Sequence, residues 1–174
     1  MKYMEGNEMK RAVAIALSTM MFLQPMTASA VTWGNIVNGL RNSGTNRYTE
    51  DGTTIEKDGE NYTITGGTLT SDVDYSFLEE TGDKTNILLK SLTVDGYVYI
   101  TADDGKQIKI EVDKDTMVKR RIEAYAEGEK SSIVVVNNGN TREVSVCAID
   151  GGHASATNNG ITCLLYTSPS PRDA

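Results

Sequence analysis

The sequence predicts a mainly β chain built from short strands stacked as a solenoid, with an antiparallel sandwich or meander as the competing architecture. Three observations carry this. Apolar and polar residues alternate in Tyr97-Val98-Tyr99-Ile100 and in Gln107-Ile108-Lys109-Ile110-Glu111-Val112, the two-residue period of a half-buried strand. The runs between Ile87 and Val112 are cut by Asp95-Gly96 and Asp103-Asp104-Gly105, dipeptides suited to turns that need positive φ. Apolar centres also recur at a nearly fixed longer spacing.

The chain opens with a segment read as a secretory signal peptide over Met9 to Ala30, with Met1 to Glu8 as an extension. Lys10 and Arg11 supply the positive start, Ala12 to Leu23 the apolar stretch, and Ala28-Ser29-Ala30 the cleavage site. Export and a mature chain beginning near Val31 are expected. The apolar stretch is short for a bilayer span, and no membrane span is expected in the mature chain.

Residues 31–60 are expected to form a capping helix and a loop. Trp33, Ile36, Val37 and Leu40 fall on one helical stripe, Thr32 can cap its start and Gly44 can end it. Trp33 on that stripe is read as a core residue in preference to a sugar-stacking one. Arg41 to Gly59 is polar and turn-rich, which suits a loop or a weak hairpin.

The β-domain is assigned to 61–162. Its apolar centres, taken alternately, are Ile64, Leu88, Ile110 and Val134, and Phe77, Ile100, Ile122 and Val146, with spacings between 22 and 24. A fixed period in the twenties points to stacked coils, each unable to bury its apolar face alone. The rival reading takes Leu92-Thr93-Val94, Asp95-Gly96 and Tyr97-Val98-Tyr99 as a hairpin. Asp115 to Gly128 fits either a helix, with Val118, Ile122 and Tyr125 on one face, or a strand that turns Arg120 inward; context favours strand.

The formal charge is −7, and an acidic chain without a large basic cluster is not expected to bind nucleic acid. Lys119-Arg120-Arg121, the one basic run, is read as a solvated face. Cys147 is expected on a strand as a small apolar residue. His153, the single histidine, lacks partners at motif spacing, and Ser131-Ser132 has no base in context; no catalytic residue is assigned. Asp72 and Asp74, Asp103 and Asp104, and Asp113 and Asp115 are paired acids near turns. Calcium stays open there, but Asp has its own backbone reason to occupy turns. No metal site and no cofactor are assigned. Tyr97 and Tyr99, opposite Val98 and Ile100, are the candidate ligand-binding residues, since aromatic rings offer a sugar a flat apolar surface with a polar handle.

The texture of YTITGGTLT, NILLKSLTVDGYVYIT, GKQIKIEV and SSIVVVNNGNT, over roughly half the chain, resembles secreted bacterial surface proteins of the right-handed parallel β-helix (pectin-lyase-like) superfold. The resemblance implies a right-handed parallel coil and an extracellular, adhesin-like, structural or glycan-contact role at a host or bacterial surface. The catalytic acidic and basic sets of that superfold's enzymes have no residue-by-residue match, so no catalysis is expected. The alternative is the N-terminal part of a polysaccharide-active lyase or hydrolase whose catalytic residues lie elsewhere. Cys163 to Asp173, CLLYTSPSPRD, resembles a translated sequencing adapter, so 163–174 is expected to be a non-native tail.

Overall fold

The computed structural model describes residues 30–78, 82–103, 105–162 and 166–167. The signal-peptide reading and most of the proposed tail lie outside them. The chain is a β-solenoid of about four turns with a short helix near its N-terminus.

Strand β1 (Ala30–Val31) leads into α1 (Trp33–Ser43). The helix begins where the sequence places it: Thr32 Oγ1 accepts the Asn35 amide at 3.2 Å, and Gly44 closes it at φ 65°. The cap satisfies an amide that no helical carbonyl reaches, and the left-handed residue ends the ladder. Trp33, Ile36, Val37 and Leu40 are all buried. Trp33 is 1% exposed and its indole Nε1 donates to the Asp74 carbonyl at 2.6 Å, which fixes it as core.

Next come β2 (Arg47–Glu50), β3 (Thr53–Asp58) and β4 (Asn61–Thr65), paired antiparallel in sequence. Of the loop or weak hairpin expected there, the hairpin forms. Asp51 and Gly52 join its two strands at φ 47° and 76°, the two positive values a type I′ hairpin turn requires.

From β4 onward the chain winds. One sheet stacks β4, β7 (Lys84–Lys90), β10 (Gln107–Val112), β12 (Ser132–Asn137) and β14 (His153–Asn158) in parallel, with β15 (Ile161–Thr162) antiparallel at its edge. The second stacks β1, β5 (Thr68–Leu69), β8 (Thr93–Val94), β11 (Met117–Glu127), β13 (Asn140–Ile149) and β16 (Tyr166–Thr167), all parallel. There β6 (Val73–Asp74) and β9 (Val98–Ala102) continue onto β11 around a corner. A 3₁₀ turn, Tyr75–Phe77, precedes the return to β7.

Register makes the core columnar. Tyr62, Ile87, Ile110, Val135 and Ala156 form one inward column; Val73, Val98, Ile122 and Val144 form another. Ala102, Ala126 and Ala148 narrow the stack at a third. Each fully buried Ile or Leu contributes about 1.5–3 kcal/mol, but only because the coils on either side cover it. Two of the sequence anchors point the other way. Ile64 pairs with Leu89, not Leu88, and Ile110 with Val135, not Val134. Val134 is 37% exposed while Val135 is fully buried.

The hairpin reading of Asp95-Gly96 is corrected. β8 and β9 do not pair with each other; each pairs with the coils above and below. Gly96 is not at positive φ. A Cβ there would stand 2.9 Å from the Asp72 amide nitrogen and 3.0 Å from the Ser71 carbonyl carbon, so glycine is required by close stacking of the corner. Gly105, at φ 85°, does serve the positive-φ turn expected of it. Asp115 to Gly128 is strand over Met117–Glu127. Arg120 does not turn inward: Lys119, Arg120 and Arg121 are all exposed between buried Val118 and Ile122.

Candidate functional site

The outer surface around the β8–β9 corner gathers the aromatic and basic side chains. Val98 and Ile100 are fully buried, so the pleat turns Tyr97 and Tyr99 outward together. Tyr99 is 41% exposed and Tyr97 half-buried. The two candidate residues thus share one face, as the alternation implies. Tyr97 is anchored through its backbone: its amide donates to Asp72 Oδ1 at 2.8 Å, and its carbonyl accepts from the Val73 amide at 2.8 Å. Gly96 makes this approach sterically open.

The next coil adds what single-strand reasoning missed. Ile122 pairs with Val98, which sets Arg121 beside Tyr97 and Arg120 beside Gly96. Both guanidiniums lie over the Tyr97 ring, Arg120 at 5.1 Å and Arg121 at 5.5 Å from its centroid, within cation–π reach. Arg120 Nη1 also donates to the Tyr97 hydroxyl at 3.4 Å. That hydrogen bond, ahead of the longer-range charges of Asp72 and Asp95, raises the Arg120 pKa above its ordinary value and keeps it charged. Lys119 pairs with Asp95 at 3.0 Å and Arg121 with Glu123. The basic run is solvated, as read from the sequence, and it also completes the tyrosine face.

Tyr125 extends the aromatic surface. Its ring lies 5.7 Å from that of Tyr99, tilted by 47°, a diagonal cross-strand contact. Burial, then the charge on Glu123, pushes the Tyr125 phenol pKa up, so the hydroxyl keeps its proton and can donate. Cys147 pairs with Tyr125 in register and is half-buried on the outer face; it is not one of the inward apolar residues.

Two shallow grooves result. Asp72, Asp74, Tyr97, Tyr99, Arg121 and Glu123 line one. Tyr97, Lys119, Arg120, Arg121, Arg142 and Glu143 line the other, ≈ 460 Å3 in volume, within the range of small-ligand sites. Aromatic floors flanked by charged hydrogen-bonding groups can stack on a sugar ring and bind its hydroxyls or acidic substituents.

Of the other candidates, Asp72 and Asp74 line the first groove, and none of the rest lines either one. His153 begins β14, in register with Ser132, and Ser131 Oγ donates to the Gly128 carbonyl at 2.7 Å. The turn aspartates accept backbone amides: Asp74 from Ser76 at 2.9 Å, Asp113 from Ser91 at 3.1 Å and from Asp115 at 3.2 Å. Asp104 lies outside the described residues. Among the described residues, no three His, Cys, Asp or Glu side chains group as metal ligands, and no helix is long and apolar enough to cross a membrane. Comparison with protein-family models, with curated proteins and with solved structures gives no match.

Proposed function

We propose that this chain is an exported β-solenoid of a bacterial surface that contacts glycans through Tyr97 and Tyr99, without turnover. The observation that carries the reading is the outward pairing of these two rings beside Tyr125, under the guanidiniums of Arg120 and Arg121. A stacked coil makes a rigid platform, because each outer side chain is held by backbone pairing above and below it. Rigid aromatic rings bind with little ordering cost. The leader reading of Met9 to Ala30 agrees with a surface role; N-terminal sequencing of secreted product should begin near Val31.

The test is retention of the chain on immobilised neutral and charged polysaccharides, with the Tyr97→Ala/Tyr99→Ala double variant beside it. Each ring should contribute about 1 kcal/mol of contact, so the double variant should bind about thirtyfold more weakly, while its thermal midpoint stays close to that of the parent. Equal retention of both proteins, or retention of neither, refutes the reading. Release of reducing or unsaturated sugars during incubation would replace it with a polysaccharide-cleaving enzyme.

A further inference from the structure

The groove beside Tyr97 contains an asymmetry in charge that the aromatic rings do not explain. Four of its lining side chains are cations and one, Glu143, is an anion, in a chain whose formal charge is −7. Two cations are already matched, Lys119 by Asp95 and Arg121 by Glu123. Among the described residues Arg120 and Arg142 have no carboxylate partner within an ion-pair distance.

The backbone places these two arginines deliberately close. Between β11 and β13 the register shifts: Val118 pairs with Thr141, yet Arg121 pairs with Glu143. Two residues, Lys119 and Arg120, therefore stand opposite one, Arg142. That is a β-bulge, which bends a strand and re-aims its side chains. Toward the preceding coil no such shift occurs, since Val118 faces Val94 and Ile122 faces Val98. The irregularity is confined to the side on which Arg142 sits, and it puts the two unmatched guanidiniums on either side of a single step between coils.

We infer that this bulged groove takes the sulfate-ester groups of an acidic glycan, held between Arg120 and Arg142 beside Tyr97. The inference rests on the glycan reading above and names the class of glycan. A guanidinium presents a planar fork of donors. A planar carboxylate can satisfy one such fork; Glu123 pairs with Arg121 through Nε. Two forks on adjacent coils present donors in two planes, and the tetrahedral oxygens of a sulfate ester can accept from both. A sulfate ester, a far stronger acid than a carboxyl group, also keeps its charge through the pH range in which carboxylates titrate. Tyr97 lines the same groove, with the Arg120 guanidinium over its ring and its hydroxyl already engaged by Arg120.

The experiment is affinity electrophoresis of the whole chain through gels containing a sulfated glycosaminoglycan without uronate, a carboxylated unsulfated one, a neutral glycan, or single-stranded oligonucleotide. The sulfated polymer should retard the chain at least tenfold more strongly than the carboxylated one, and 0.5 M salt should release it, since screening at that strength is nearly complete beyond a few ångströms (about 4–5 Å). Arg120→Gln/Arg142→Gln should lose most of that retardation, and a far larger share of it than of retention on neutral glycan. Both side chains are exposed, and matching circular dichroism and melting curves would exclude a folding defect. Equal retardation by sulfated and carboxylated polymers, or stronger capture by the oligonucleotide, overturns the inference. If neutral glycan is still bound and lost in Tyr97→Ala/Tyr99→Ala, the broader reading stands without it; if nothing is bound, both fall.

Discussion

Replacing Leu89 by alanine should destabilise the chain far more than the same change at Leu88, one residue away. Leu89 is fully buried, and its column neighbours Ile64 and Val112 are fully buried too. Backbone ladders hold those neighbours on both sides, so they cannot collapse into the space left behind. Leucine-to-alanine changes in such closed sites cost the lost transfer energy plus a cavity term, about 3 kcal/mol here. Leu88 is turned outward between Thr63 and Glu111 and is only half-buried, so its truncation should cost under about 1 kcal/mol. For a chain of this size about 3 kcal/mol lowers the melting midpoint by roughly 6–12 °C. Urea unfolding followed by Trp33 fluorescence and by circular dichroism gives both values. Trp33 is the only tryptophan and is buried at the helix-covered end, so coincidence of the two curves also tests whether the coils unfold together. Equal losses at Leu88 and Leu89, or a larger one at Leu88, would refute the inward assignment of this column.

Gly96→Ala should lower stability by about 1–3 kcal/mol, because the added methyl meets backbone atoms of Ser71 and Asp72 that cannot swing away; the same variant should weaken glycan retention by displacing Tyr97, and an unchanged melt would contradict the corner geometry. Asp113 gives a pH signature. Burial alone would raise its pKa, but hydrogen bonds from the Thr116 hydroxyl and the Ser91 and Asp115 amides, with the charge of Lys90, hold it below the usual carboxylate value. A depressed pKa stabilises the fold fully above the unfolded value, about 3.9, and that contribution disappears as pH falls through the folded value. Asp113→Asn should therefore lower stability at pH 7 by about 1 kcal/mol and flatten the loss measured below pH 4. A parent and variant with parallel acid limbs would contradict the assignment.

Local chemistry was legible where the structure is local. The helix could be bounded from Thr32, Gly44 and the Trp33-Ile36-Val37-Leu40 stripe because capping and one-sided burial act within a few residues. The coil period was legible because each turn reuses nearly the same length. The phase within a strand was not: Ile87-Leu88-Leu89 and Ile133-Val134-Val135-Val136 are apolar at successive positions, so either set could face inward. The clear alternation of Ile108-Lys109-Ile110 settles it through pairing to Ile87 and Val135. Two Asp-Gly pairs had identical local signals and opposite outcomes. Asp51-Gly52 makes a hairpin, whereas Gly96 answers to Asp72 on the neighbouring coil. Tyr97 and Tyr99 could be read from alternation. Arg120 and Arg121 required carrying the period across one coil, from Tyr97 to Arg121, and Arg142 required the bulge, which no spacing in the sequence announces.

A disulfide between coils tests the stacking itself. Tyr125 pairs with Cys147 in parallel register, and neighbouring strands lie about 4.8 Å apart, inside the Cα separation a disulfide bridges. Tyr125→Cys, in a chain with Cys163→Ser, should oxidise readily to an intramolecular bond with Cys147, identified by a single linked peptide pair in a non-reducing digest. Thr101→Cys, two coils from Cys147, should not. Failure of Tyr125→Cys to link within one chain, or efficient linkage of Thr101→Cys instead, would contradict the parallel coil on which the binding face depends.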